Sequence, residues 1–350
     1  MNISQIDPSD PRFKSFEQFF ETHPDSTFFQ SGKLFTLIDG LQNYEPLLLV
    51  CEDESGIIRG SLLTIIQAKN HKILKHFSSV AIIRGGPLID TSCPDKKDVL
   101  NKLLQSLIKT TKRKALVIQF RNFADQKAYI QIFKKFKFVF HDHLNLIVST
   151  TDKSSVWSDI SNSRQRQITK SIKNGAFVIE QPSYEEFCKF YALLKSIYNR
   201  KIHKPLPPWS FFERFFFNVK NNLFGIINLI GFQGKIIGGI LCPVSDGKML
   251  HEWYVCGLDQ QFNPQGIYPS VLATWSAIDY AIKNKIAAFD FMGMGHPKIP
   301  YGVRDFKLRF GGDLVNFGRF ERINNYPIYF IAYFGYNIIV SYKYLVSKIS

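Results

Sequence analysis

The sequence predicts a mixed α/β protein made of two halves of similar design. Three observations carry this. The chain has 350 residues, 45% of them hydrophobic, which suits two ordinary domains better than one. Apolar runs of strand length, joined by short turns, read as hairpins. The order of elements in the first half then recurs in the second.

In the first half, residues 15–22 and 31–42 read as helices. Residues 46–51 and 57–68 form a hairpin across the acidic turn 52–56. A short strand at 80–83 leads to Arg84-Gly85-Gly86-Pro87. Val99, Leu103, Leu104, Leu107 and Ile108 fall on one face of a helix over 95–113. A buried strand at 115–120, a helix at 128–136 and a strand at 143–149 complete this half. The second half runs helix 163–174, strand 176–180, helix 184–199, a three-proline loop at 201–208, and helix 210–218. Strands 224–232 and 236–244 meet at Gln233-Gly234-Lys235. A strand at 249–257, a helix at 269–283 and a strand at 287–291 follow. The expected domains are 1–150 and 151–323, divided at the polar stretch 150–154. Residues 324–350 are expected to form a C-terminal helix that packs back on the first domain.

Composition narrows the function classes. Charged residues make up 21% of the chain, too few for a disordered polyelectrolyte. The net charge is +15, and two-thirds of the excess lies beyond residue 150. Such a balance favours anionic partners: nucleic acid, phosphorylated ligands or an anionic membrane. A solvated basic surface accounts for it equally well. The five cysteines are odd in number and show no C-x-x-C spacing, so neither a disulfide framework nor a metal site is expected. They fit a cytoplasmic location. The first twelve residues lack the apolar core of a signal peptide. No run reaches the roughly 20 apolar residues of a spanning helix. The nearest, 327–342, is broken by Gly335 and Asn337. It reads as a helix packed on the core; its tyrosines, with Lys343 and Lys348 beyond, also suit a membrane interface.

Several catalytic signatures are missing. There is no Walker loop, no H-E-x-x-H and no G-x-S-x-G, and Gly293-Met294-Gly295 lacks the rest of a dinucleotide fingerprint. His251 and His296 stand alone and read as core or loop histidines.

Five segments occur in a telling order: Phe29-Gln30-Ser31, Arg84-Gly85-Gly86-Pro87, the basic run 163–170, Asp290-Phe291-Met292-Gly293, and the run from Tyr301 through Phe306-Lys307 to Gly311-Gly312. Together they resemble the Fem-like family of aminoacyl- and acyltransferases, and they span nearly the whole chain. The resemblance implies two tandem domains of the Gcn5-related N-acetyltransferase (GNAT) fold. It implies an aminoacyltransferase that moves an amino acid from aminoacyl-tRNA to the peptide of a peptidoglycan precursor, lipid II or its nucleotide-linked form. The place of action would be the cytoplasm, with peripheral contact at the inner face of the membrane. Some relatives serve other acylations, so the alternative is an acyltransferase using an acyl thioester on an amino sugar or lipid in surface-polysaccharide synthesis. The family's long helical arm, which accompanies tRNA binding, is absent.

The resemblance also assigns residues. Aminoacyl transfer has an amine attack an ester carbonyl, so it needs charge stabilisation at the oxyanion, a proton acceptor and accurate placement. Lys307, between Phe306 and Phe310, matches the family lysine that stabilises charge on the acyl donor. Tyr254 matches a tyrosine near the substrate peptide. Lys33 and Arg200 fall near positions that grip the acceptor's pyrophosphate. Asp90 is a candidate partner for the acceptor amine. On the basic helix Arg166, Lys170 and Lys173 share one side, with Arg164 close by, and Arg166 and Lys170 are candidates for tRNA or other anion contact. No metal and no bound cofactor is expected. An ordinary GNAT enzyme holds coenzyme A pyrophosphate on a glycine-rich loop that opens a helix. The corresponding stretch here, Gln261 to Pro269, has one glycine, and Pro269 lacks an N–H donor. That argues against coenzyme A.

Overall fold

The computed structural model describes residues 1–68, 78–202, 205–221, 224–245 and 247–334. The described chain divides into two compact units, one drawn from residues 1–141 plus 317–334, the other from residues 142–316. Both are mixed α/β, as the sequence predicts.

The first unit begins with β1 (Asn2–Ile6), α1 (Phe13–Thr22), α2 (Gly32–Ile38), β2 (Tyr44–Glu52), β3 (Ile58–Gln67), β4 (Val80–Gly85), β5 (Leu88–Ile89), α3 (Lys96–Thr111), β6 (Val117–Asn122), α4 (Ile130–Lys135) and β7 (Val139–His141). The second holds β8 (Leu144–Ser149), α5 (Lys153–Asp159), α6 (Asn162–Lys173), β9 (Phe177–Ile179), α7 (Tyr184–Ile197), α8 (Trp209–Lys220), β10 (Gly225–Phe232), β11 (Lys235–Ser245), β12 (Met249–His251), β13 (Tyr254–Gly257), α9 (Asp259–Phe262), α10 (Pro269–Lys283), β14 (Ala288–Gly293), α11 (Gly302–Leu308) and β15 (Asp313–Asn316). The chain then returns to the first unit as β16 (Arg319–Ile323).

The first sheet has the order β1-β2-β3-β4-β6-β16-β7, with β5 on β3; among the described residues only β4 and β6 run parallel. The β2–β3 hairpin closes because Asp53 Oδ1 accepts from the backbone N–H of Ser55 and Ile57, at 2.9 and 3.0 Å. The apolar face of α3 (Val99, Leu100, Leu103, Leu104, Leu107) lies on this hairpin. At Gly60 a Cβ would meet Val99 Cγ1 at 2.6 Å, so the helix crosses where the strand has no side chain. The other end of the core is aromatic. Phe133 stacks flat on Phe320 at 3.8 Å, and Phe120 and Phe138 meet Phe133 edge-on.

The second sheet has the order β15-β8-β14-β12-β11-β10-β9, with β13 on β11. Here β12 and β14 run parallel. Gln233 and Gly234, both at positive φ, close the β10–β11 hairpin. α10 is buried along most of its length, packed on β10, β11 and β13.

Several elements differ from the sequence expectation. The strand expected at 143–149 as the end of the first domain pairs with β14 and β15, so it belongs to the second unit. Residues 319–323, expected to end the second domain, pair with β6 and β7. Local apolar runs mark such strands, but only their distant partners decide which sheet they join. β1 sits in a polar stretch, yet it adds to β2 over Asn2–Ile6. The strand expected at 249–257 is broken into β12 and β13. Of the C-terminal tail, Asn324 donates to the carbonyls of Thr111 and Ala115 of the first unit. Tyr326, Phe330, Ile331, Tyr333 and Phe334 are half or more exposed. The remainder, 335–350, lies outside the described residues. Among the described residues no helix is long and apolar enough to cross a membrane.

Two measurements test this packing. Phe320→Ala is expected to destabilise the first unit by about 3–5 kcal/mol in urea unfolding, since it removes the stacked partner of Phe133. Four cysteines are buried and Cys188 is partly exposed. Burial pushes the Cys51 thiol up to about 11, and raises Cys242 and Cys256 further. A thiol reagent at pH 8 should therefore label one cysteine, Cys188, in the native protein and five after denaturation.

Candidate functional site

The second sheet splits. β12 pairs with β14 only from Met249↔Ala288 to His251↔Asp290. Beyond that point β13 pairs with β11 alone. The Glu252 N–H still donates to Asp290 O at 2.9 Å, but the Trp253 N–H turns to Leu241 O at 3.2 Å. On the other side, β14 shifts register against β8 between Asp290 and Gly293, and Met292 takes a φ of 58°. Two neighbouring strands thus part at Glu252 and Phe291, and a fork opens between them.

Lys307, from α11, bridges the fork. Its Nζ lies 3.0 Å from Glu252 Oε1 and donates to the Phe291 carbonyl on the opposite strand. Both side chains are buried: Lys307 is 7% exposed and Glu252 5%. Burial drives the Glu252 carboxyl above its usual range, against the pull of Lys307, and the nearby Asp290 carboxylate adds to the rise. Glu252 Oε2 completes no hydrogen bond. An ammonium carries three donors, and this pair and carbonyl engage two of them.

Two arginines fix α11. Arg164, on α6, lies over the Phe306 and Phe310 rings at 4.3 and 5.3 Å and donates to Phe306 O at 3.2 Å. Burial lowers its guanidinium pKa to about 10, and the neighbouring Arg309 acts in the same direction. Arg304 donates to the carbonyls of Met294 at 3.1 Å, Pro297 at 3.0 Å and Ile299 at 3.2 Å, as well as to that of His296. After the helix, Gly311 and Gly312 take positive φ, and a Cβ on either would strike Asp159 or Ile147 O. The glycine pair is needed for both reasons.

Behind the fork lies a sealed polar network. Asp290 Oδ1 accepts from the Met292 N–H at 2.6 Å, and Asp290 Oδ2 lies 3.6 Å from His251 Nδ1. His251 Nε2 and Ser245 Oγ are 3.1 Å apart. His251 and Asp290 are almost completely buried, so this Ser–His–Asp set supports the fork rather than facing substrate.

The other expected site residues fall as follows. Tyr254 is half-buried, two residues beyond Glu252, within 5.1 Å of the Phe212 ring and stacked on Trp253. Arg200 is exposed in a wide turn over Tyr198–Ile202. Arg166 and Lys170 are exposed on α6, whereas Arg164 turns inward. Lys33, on α2, is half-buried in the first unit. Asp90, also in the first unit, binds Arg59 at 2.7 Å and accepts from Ser92 N and Oγ at 2.8 and 2.7 Å. Burial raises its pKa, but Arg59 and Ser92 outweigh that and hold it below the usual range. The structure thus brings Lys307 and Tyr254 to the forked strands of one unit. Among the described residues no cluster has the makings of a metal site.

Sequence reasoning missed Glu252 and Asp259. A lone acid in the apolar run 249–257 was the available signal, since a buried carboxylate demands a cation. Asp259 bears on the helix that opens at Pro269. Its Oδ1 accepts from the Ser270 N–H at 3.1 Å and its Oδ2 from Ser270 Oγ at 2.5 Å. The Tyr268 N–H is held by Ser171 Oγ at 2.9 Å. A carboxylate already occupies the end of α10 where a phosphate would be held.

No family model and no curated protein matches the sequence. Solved structures do match. FemX aligns with a TM-score of 0.69 at 15% identity, over 95% of this chain and 99% of that one. A tandem GNAT protein from the clavulanic acid biosynthesis pathway aligns at 0.57 and 6% identity, over 93% and 98%. The C-terminal domain of a putative lysylphosphatidylglycerol synthetase from Agrobacterium fabrum aligns at 0.54 and 10% identity, over 93% and 95%. These likenesses agree with the two mixed sheets and with the resemblance carried by the motifs: the fold of this chain is that of the Fem-like tandem GNAT proteins.

Proposed function

We propose that the chain is an acyltransferase, and specifically one that moves an amino acid from aminoacyl-tRNA to an amine of a peptidoglycan-precursor peptide. The observation that carries this reading is the buried Lys307, held across the sheet fork by Glu252 and Phe291 O. A neutral acceptor amine attacks the ester carbonyl, a C–N bond forms, and the tRNA hydroxyl leaves as the C–O bond breaks. The remaining N–H of Lys307 faces the charge that develops on the carbonyl oxygen, in a setting too dry to screen it. Glu252, made more basic by burial, takes the amine proton and passes it to the departing tRNA oxygen. Tyr254 lines the acceptor side. By the resemblance, Lys33 and Arg200 are each candidate contacts for phosphate, Asp90 is a candidate partner for the acceptor amine, and Arg166 and Lys170 are candidate contacts for the tRNA backbone. Asp259 at the start of α10 disfavours a coenzyme A pyrophosphate and so weighs against the acyl-thioester alternative.

Three ligands titrated side by side, a soluble peptidoglycan precursor, a charged tRNA and acetyl-coenzyme A, test the reading. Binding of the first two is expected, with the precursor weakened by Lys33→Ala or Arg200→Ala. Binding of acetyl-coenzyme A alone would overturn it. In a transfer assay Lys307→Met should lower kcat by at least about 100-fold. The wild-type rate should fall as pH drops through an ionisation above the usual carboxylate range, and Glu252→Gln should remove that limb.

Stability separates chemistry from folding. Lys307→Met leaves a buried carboxylate without its cation and should cost about 3–5 kcal/mol in denaturant unfolding. The double variant Lys307→Met/Glu252→Gln should recover most of that loss while staying inactive.

A further inference from the structure

The first unit has a fork of its own. β4 and β6 run parallel from Val80↔Val117 to Gly85↔Asn122. There they part, and β5 pairs with β3 alone, Leu88 with Ser61 and Ile89 with Gly60. The second unit repeats this plan with β12, β14 and β13. The plug differs. Lys307 fills the second fork, whereas Gln30 fills the first. Gln30 is buried, its Nε2 donates to Gly86 O at 3.1 Å, and its Oε1 accepts from Thr27 N and Oγ1 at 3.0 and 2.8 Å. A Cβ at Gly85 would lie 2.5 Å from Gln30 Cδ, so that position has room for glycine alone. The segments Phe29-Gln30-Ser31 and Arg84-Gly85-Gly86-Pro87 thus meet in space, the amide of one fitted to the glycines of the other.

The other side of this fork is unsatisfied. Asn122 Oδ1 and Gln126 Oε1 have no hydrogen-bond partner among the described residues, although Asn122 is only 3% exposed and Gln126 7%. Asn122 Nδ2 donates to Phe317 O at 3.1 Å, so its amide cannot turn over without setting one carbonyl oxygen against another. Both amides border the bare Cα of Gly86. A Cβ there would lie 3.7 Å from Asn122 Oδ1 and 3.8 Å from Gln126 Cδ, so a methyl-sized group fits between them.

A buried acceptor without a donor forfeits its hydration and gains nothing in return. Two of them bordering one small space define what belongs there. Both atoms accept, so the guest must donate twice. The surroundings set its charge. Arg84 and Arg121 are cross-strand partners one position before the fork, and Arg319 pairs with Arg121 on the next strand. Asp125, beside Gln126, is exposed and accepts from the Lys127 N–H at 2.8 Å. Three neighbouring arginines disfavour an ammonium. A neutral nitrogen carrying two hydrogens remains, and a primary carboxamide ends in one.

We infer that the first unit binds a primary carboxamide at this fork, its –NH2 donating to Asn122 Oδ1 and Gln126 Oε1 over Gly86. The site lies within one unit. It does not depend on the transfer chemistry assigned to Lys307 and Glu252, so a protein inactive in transfer should still bind.

The full chain, labelled with nitrogen-15, is titrated with acetamide, N,N-dimethylacetamide and methylammonium while the side-chain NH2 signals of Asn122 and Gln126 are followed. A saturable shift with acetamide is expected, with none from the other two. Lys307→Met should give the same shift. Gln126→Met should weaken acetamide binding about tenfold, as read on the Asn122 signal. It should also raise the Tm of the free protein, since it removes an unpaired buried acceptor; a glutamine with a purely structural role would lower it. No saturable shift with acetamide overturns the inference, as does an equal shift with N,N-dimethylacetamide, which has no N–H. Preference for methylammonium overturns the neutral assignment. A lowered Tm in Gln126→Met, with acetamide binding intact, would overturn it in favour of ordered water as the partner of both oxygens.

Discussion

The second unit is organised around one buried ion pair. Taking an ammonium and a carboxylate out of water costs several kcal/mol for each ion, and their attraction offsets this only with good geometry and further hydrogen bonds. At the fork these conditions are partly met. Lys307 meets Glu252 at 3.0 Å and a carbonyl on the opposite strand, while Glu252 Oε2 completes no hydrogen bond. An apolar pair of similar volume would hold the fold as well. The arrangement is therefore better understood as a poised charge than as a staple, and much of the neighbouring structure serves to keep it in place. Arg164 and Arg304 tie α11 by its carbonyls, and Gly311-Gly312 lets the chain leave the helix without clashing with Asp159.

A sheet that forks gives up backbone hydrogen bonds, and the groups released must be satisfied elsewhere. Here the last shared bond is Glu252 N to Asp290 O. Directly behind it, Asp290 spends its carboxylate on the Met292 N–H, which supports the positive φ at that residue. His251 and Ser245 extend the network into the core. Burial is the main cause of the raised Glu252 pKa; Lys307 opposes it, and the Asp290 charge adds a smaller push in the same direction as burial.

The sequence made local features legible and left distant ones obscure. The β2–β3 hairpin and α3 follow from period and turn chemistry, and the structure has them at nearly the expected residues. β8 and β16 read equally well as strands, but nothing in their own residues says that the first belongs with β14 and the second with β6. At the site, Lys307 stood out because the run from Phe306 to Gly312 carries the resemblance. Glu252 did not, since an acid in a short apolar run looks the same whether its partner is water or a lysine 55 positions away. Arg164 misled in the opposite direction. Its spacing beside Arg166 suggested a solvated basic face, whereas two phenylalanines from α11 draw its guanidinium inward.

The end of α10 is where this chain diverges most from a phosphate-binding design. A helix N-terminus offers free N–H groups and a positive dipole end, and phosphate commonly exploits both. Here Pro269 removes one donor, Ser171 takes the Tyr268 N–H, and Asp259 takes the Ser270 N–H and hydroxyl. The dipole is already answered by a carboxylate, so a pyrophosphate brought to the same spot would meet a like charge and find its donors spent. On the proposed function, an acyl donor at this fork would be anchored by other cations. Within the second unit, the helix whose Ser171 helps close α10 carries Arg166, Lys170 and Lys173 turned to solvent. On the proposed function, a donor carrying many phosphates spread along a backbone can use such dispersed charge better than a single compact pyrophosphate can, which is the physical reason for proposing an ester on a nucleic acid as the donor.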